Sequence, residues 1–100
     1  MHKREDIAQD KRAERRSVVS TTVHYSYSFL KDQELRCAVG QGISVNVSPS
    51  GLCFYAPQMF QEGQDLKVYS PRLWEAPRAA VVRYCLRVNG ELYRVGLSLS

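Results

Sequence analysis

Apolar and polar residues alternate along most of the chain from Ser17 onward. Val19, Thr21, Val23, Tyr25, Tyr27 and Phe29 take one set of positions, and Ser20, Thr22, His24, Ser26 and Ser28 take the other. A period of two over this length predicts a β-strand with one buried face, because successive side chains of an extended backbone point to opposite sides. The stripe of Tyr25, Tyr27 and Phe29 is read as core packing. Lys31-Asp32-Gln33-Glu34 is a polar turn. Beyond it Leu35, Cys37 and Val39 share one face, and Gly40-Gln41-Gly42 interrupts them in the manner of a bulge or bend. Ile43, Val45 and Val47 then resume the apolar side, with Ser44, Asn46 and Ser48 opposite. Pro49-Ser50-Gly51 reads as a turn in which Pro fixes φ and Gly admits a positive φ.

The second half repeats this grammar. Leu52, Phe54 and Ala56 form a short strand, and residues 57–64 connect it, through a turn at Glu62-Gly63-Gln64, to a strand around Leu66 and Val68. Residues 70–77 hold two prolines and Trp74, a loop with an aromatic anchor. Ala80, Val82, Tyr84, Leu86 and Val88 alternate in a fifth strand, and Tyr93, Val95, Leu97 and Leu99 in a sixth. Asn89-Gly90 between them favours a type I′ hairpin turn. Six short strands joined by tight turns, with little helix, predict an all-β fold, an antiparallel barrel or sandwich.

Residues 1–16 depart from this pattern. Besides Met1, only Ile7, Ala8 and Ala13 are apolar there, too few to dock a helix, whereas Lys11, Arg12, Arg15 and Arg16 cluster. The segment is read as a flexible basic arm with a transient helix over 6–15, leaving 17–100 for the barrel. The length of 100 residues suits one domain with a modest core. A net charge of +4 points to an anionic partner without naming it. No apolar run approaches the roughly 20 residues that span a bilayer, and the charged start is no secretory signal, so a cytoplasmic protein without membrane insertion is expected. Cys37, Cys53 and Cys85 are odd in number, far apart and set in apolar-periodic segments, a pattern that fits reduced, buried thiols. His2 and His24 have no ligand spacing with them, so no metal is expected. Neither a hydrolase elbow nor a Gly-rich phosphate loop is present, and the expectation is a protein that is not an enzyme and needs no cofactor.

Two spacings carry candidate chemistry. Arg12-Ala-Glu-Arg-Arg16 places two guanidinium forks four residues apart, and such forks match phosphate oxygens and the O6/N7 edge of guanine. Asn46-Val-Ser48-Pro-Ser-Gly51 places two polar side chains on one side of a strand end, next to a glycine that leaves the surface open. Alone, the first is ordinary solvated charge and the second an ordinary turn. In this order, on an all-β pattern, they resemble the PilZ domains, whose signature is R-x-x-x-R in an N-terminal arm followed by [D/N]-x-S-x-x-G. The resemblance runs from Lys11 to Val95-Gly96-Leu97-Ser98-Leu99, which is similar to the family's closing strand, with Leu99 where phenylalanine is frequent.

The resemblance implies a six-stranded antiparallel β-barrel and a bacterial receptor for the second messenger cyclic di-GMP. Arg12 and Arg16 match the arginines that grip guanine edges and phosphates. Asn46, Ser48 and Gly51 match the motif that contacts a guanine from the barrel surface, with Asn46 where aspartate is more usual. Lys11 and Arg15 flank the pair as further phosphate contacts, and Arg83 falls roughly where the family stacks a side chain on a guanine. On ligand binding the arm would order and change the surface shown to a downstream protein partner. The alternatives are an OB-like barrel for single-stranded nucleic acid, or a PilZ-fold interaction adaptor that binds no ligand.

Overall fold

A computed structural model describes residues 15–100, so Lys11, Arg12 and the rest of the segment ahead of Arg15 lie outside the described residues. Seven strands follow one another: β1 (Ser17–Val18), β2 (Thr22–Lys31), β3 (Glu34–Ser48), β4 (Gly51–Ala56), β5 (Asp65–Tyr69), β6 (Arg78–Asn89) and β7 (Leu92–Leu99). Every pairing is antiparallel. The order β3-β2-β5-β6-β7-β4, with β4 returning to β3, closes a six-stranded barrel. The extra strand, β1, lies on the edge of β3 that β2 occupies further along, pairing Ser17 with Val47 and Val18 with Asn46.

The inward residues follow the alternation only where neighbouring strands cover them: Phe29, expected in the core stripe, is 39% exposed, and Leu86 and Val88 of β6 are 57% and 48% exposed. Val23 and Tyr25 of β2, Leu52, Phe54 and Ala56 of β4, Leu66 and Val68 of β5, Ala80 and Val82 of β6, and Val95, Leu97 and Leu99 of β7 form one buried cluster. Phe60 from the β4–β5 connection plugs one end, its ring edge-on to Tyr25 and Tyr27 at 5.2 and 5.9 Å between centroids. Burying each such large side chain contributes about 1.5–3 kcal/mol, so the cluster outweighs any surface contact described below. Trp74 is half-buried against the cluster, and the Arg78 guanidinium stands 5.9 Å from its ring. Gln58 ties the same end as Phe60 by accepting from the Tyr25 hydroxyl and donating to the Tyr27 hydroxyl, both at 2.8 Å.

The turns correct several expectations. Asp32 and Gln33, at φ 54° and 66°, are both left-handed, so the β2–β3 hairpin adopts the type I′ geometry without a glycine. Asn89 instead stays in the ladder, paired with Leu92; the loop residues are Gly90 and Glu91, and only Gly90 has a positive φ, at 43°. Type I′ needs two such residues, so the expected I′ turn at Asn89-Gly90 is not formed. Gly51 does not have a positive φ either. It opens β4, and its role is spatial, since a Cβ there would lie 3.3 Å from the Ser48 hydroxyl. Gly63, at φ 89°, makes the expected turn after Gln61.

The expected interruption at Gly40-Gln41-Gly42 is absent, because β3 pairs with β2 in unbroken register from Glu34 to Ile43. The glycines there make room for rings: a Cβ on Gly40 would lie 2.4 Å from the Tyr25 ring, and one on Gly42 2.6 Å from the Phe54 ring. The bulge falls at Val45 instead, between the pairs Ser44–Phe54 and Asn46–Cys53. One extra residue exchanges the faces of the strand beyond it. Ile43 therefore points out and is 46% exposed, Ser44 is buried like its partner Phe54, and Val47 packs on the core. A second bulge, at Arg83 between the pairs Val82–Leu97 and Tyr84–Gly96, turns Tyr84 outward although Val82 points in.

The face of Leu35, Cys37 and Val39 is also corrected. Leu35 and Val39 are exposed, at 75% and 78%, as is the Cys37 thiol, because the β2–β3 hairpin extends past the strands that would cover it. Of the three thiols only Cys53 is fully buried, and Cys85 is half-buried. Among the described residues no helix is long and apolar enough to cross a membrane, and no three His, Cys, Asp or Glu side chains gather to hold a metal ion.

Candidate functional site

The two bulges assemble one outward surface from residues far apart in sequence. Directly opposed residues of an antiparallel ladder show their side chains on the same face. The pairs Asn46–Cys53, Cys53–Gly96 and Gly96–Tyr84 therefore run as a single row across β3, β4, β7 and β6. One row over, Ser48–Gly51 and Gly51–Ser98 continue a shelf of small residues. On the other side Tyr55 pairs with Arg94 and Arg94 with Leu86. The result is a shallow platform floored by Gly51, Cys53, Gly96 and Ser98 and rimmed by Asn46, Tyr84 and Arg94. None of these residues is acidic.

The N-terminal strand delivers Arg16 to this platform. Because β1 pairs with the stretch of β3 beyond the bulge, the residue just before it sits beside Asn46, and the Arg16 Nη1 donates to Asn46 Oδ1 at 3.1 Å. Ser44 fixes the kink between β1 and β2. Its hydroxyl accepts from the Thr21 N–H at 2.9 Å and donates to the Val19 carbonyl, and its own N–H bonds the Thr21 carbonyl at 2.9 Å. Of the residues expected from the two spacings, Arg16, Asn46, Ser48 and Gly51 thus lie together. Arg15 is exposed next to Arg16. Lys11 and Arg12 are not described. Arg83 is the extra residue of a bulge, so the side chain aligned with the row is that of Tyr84, not Arg83.

Three residues that the motifs do not contain complete the surface. The Tyr84 ring packs against Gly96, where a Cβ would come within 2.1 Å of it. Its hydroxyl donates to the Cys53 sulfur at 3.5 Å. That hydrogen bond, then burial and the adjacent Cys53, pushes the Tyr84 phenol above its ordinary value, while Arg94 pulls it the other way. Arg94 stands on the same face, and the nearby Cys53, then Tyr84, raise its pKa further. Tyr84 is consequently a neutral donor, and Arg94 a fixed cation, across the physiological range. Arg78, near the Pro49 turn, is already engaged with the carbonyls of Pro49 at 3.1 Å and Ser100 at 3.0 Å.

Two depressions lie away from this platform. One of about 380 Å³ sits over β3, β2 and β5 beside His24, Val39 and Tyr69, and one of about 480 Å³ lies beside Cys37 and Asp65. A floor of small residues leaves room for a planar ligand that is stacked upon and covered by something else, whereas the two depressions lack arginine.

No family model matches the chain, and no curated protein matches it in sequence. Among solved structures it is similar to the Bacillus subtilis inhibitor of motility MotI/DgrA, with a TM-score of 0.65 and 21% identity over 91% of this chain. The match spans 43% of that protein's length, and it shows a shared barrel fold.

Proposed function

We propose that this chain is a PilZ-type receptor module that binds cyclic di-GMP on the platform and passes the occupied state to a protein partner. The observation that carries the reading is the Arg16–Asn46 hydrogen bond of 3.1 Å, because it joins the two motif spacings across 30 residues of sequence. An arginine that reaches Asn46 also reaches any ligand laid over Ser48 and Gly51. Asn46 and Ser48 offer donors and acceptors to a guanine edge, and Tyr84 offers an aromatic face next to the floor of small residues. Arg12, four residues ahead of Arg16, would close over the ligand from the arm. The fold shared with an inhibitor of motility supports a regulatory, non-catalytic role.

Titration calorimetry with cyclic di-GMP tests this. A charged bidentate contact contributes on the order of 1–3 kcal/mol, so Arg12→Ala and Arg16→Ala should each weaken binding by about tenfold or more. In an NMR titration the shifts should concentrate at residues 11–16 and 46–51. A wild-type chain that binds no guanine dinucleotide would refute the reading and leave a protein-interaction adaptor. Binding of oligonucleotides with a steep salt slope would favour the nucleic-acid barrel instead.

A further inference from the structure

Arg94 belongs to neither motif, yet the strand register sets it on the platform face. It stands on β7 between Tyr55 of β4 and Leu86 of β6, two residues from the Gly96 against which the Tyr84 ring packs. Its guanidinium carries five N–H donors in a planar fork. Cys53 is only 1% exposed although its side chain points outward, and the Tyr84 hydroxyl reaches its sulfur. The thiol therefore acts as a buried post to which the Tyr84 ring is tied. Two strand spacings separate β3 from β7 and a third separates β1 from β3, so Arg94 stands about 10 Å from Asn46 and about 15 Å from the β1 edge that carries Arg16, too far for one base to meet both ends.

We propose that Arg94 is a specificity residue: it meets the O6/N7 edge of a guanine stacked on Tyr84, at the end of the ligand that Arg16 does not reach, with Cys53 holding the Tyr84 ring in position. This rests on the cyclic di-GMP reading above and adds the residue that selects guanine. Adenine carries an amino donor where guanine has O6, so a fork of donors fits the first poorly and the second well. Arg78, a further cation near the Pro49 turn, is held by backbone carbonyls.

The test compares cyclic di-GMP with cyclic di-AMP by calorimetry on the full chain, with thermal unfolding as a check on folding. Wild type should prefer cyclic di-GMP. Arg94→Gln should weaken cyclic di-GMP about tenfold, leave cyclic di-AMP unchanged and keep the melting temperature. Cys53→Ala should weaken cyclic di-GMP several-fold, and Cys53→Ser, which keeps an acceptor, should restore it. Equal losses for both dinucleotides in Arg94→Gln would overturn the assignment by making Arg94 a general phosphate contact. Unchanged cyclic di-GMP affinity in Arg94→Gln, with Arg16→Ala still weak, would overturn it while sparing the receptor reading. A wild type that binds neither dinucleotide would remove both.

Discussion

Gly96→Ala separates the stability of the barrel from the integrity of the platform. A Cβ at position 96 would lie 2.1 Å from the Tyr84 ring, whereas carbon atoms in contact sit about 3.5–4.0 Å apart. The ring must therefore withdraw by about 1.5 Å. It can, because Tyr84 is 39% exposed and has solvent behind it. Overpacking of this kind costs about 1–3 kcal/mol, and the freedom of the ring puts the expected loss near the lower end. Withdrawal also lifts the hydroxyl from the Cys53 sulfur, and a base stacked on an aromatic ring contributes about 1–3 kcal/mol, so affinity for cyclic di-GMP should fall by roughly 5- to 150-fold. Gly42→Ala is the counterpart. There the new Cβ would meet the Tyr55 carbonyl at 2.2 Å and the fully buried Phe54 ring at 2.6 Å, and neither can leave. That variant should lose well over 3 kcal/mol, or fail to fold, by overpacking against backbone. Chemical denaturation and calorimetry on both variants decide the matter. Gly96→Ala with wild-type affinity and unmoved Tyr84 ring signals would refute the idea that Gly96 keeps its place to seat that ring.

Three further outcomes are expected. Gln33 holds φ 66° without being glycine, so Gln33→Gly should stabilise the protein by about 0.5–1 kcal/mol, measured as a raised denaturation midpoint; a lowered midpoint would contradict the strain argument. The Ser70 hydroxyl is fully buried without a hydrogen-bond partner, so Ser70→Ala should raise stability by about 1 kcal/mol, and a loss of that size would mean that the hydroxyl is satisfied in solution. Burial, then the neighbouring Tyr27, raises the Tyr25 phenol above 10.0; stability is therefore intact below that pH and declines as pH climbs through the folded value. Tyr25→Phe should show a shallower alkaline decline in a pH series of unfolding curves, and an unchanged slope would sink the assignment.

The alternation of residues carried most of the barrel, but not the direction of every face. Strand positions and the core residues of β2, β4, β5 and β7 follow from period-two patterns and turn residues, since a buried face and a wet face need different side chains. The bulges at Val45 and Arg83 have no such signal. Neither residue is a glycine, and a one-residue insertion becomes visible only against the partner strand. For the same reason the outward positions of Ile43 and Tyr84 were illegible. Leu35 and Val39 show the complementary limit: an alternating strand announces two faces, but its exposure depends on where its neighbours end. Arg16, Asn46, Ser48 and Gly51 could be singled out because each motif is local in the chain. Cys53, Tyr84 and Arg94 could not, because a cross-strand register brings them together.

The two-residue ladder of β1 has a mechanical consequence. Ser17 and Val18 are held to β3 by two residue pairs, and Arg16 sits immediately upstream of them. Tension applied to the backbone ahead of Arg15 would travel along the chain into that ladder and peel it before any barrel strand yields, drawing the guanidinium off Asn46 as it goes. A bulky fusion or a surface tether attached on that side would thus load the arginine contact directly, while the same attachment after Ser100 would pull on the carbonyl that Arg78 grips.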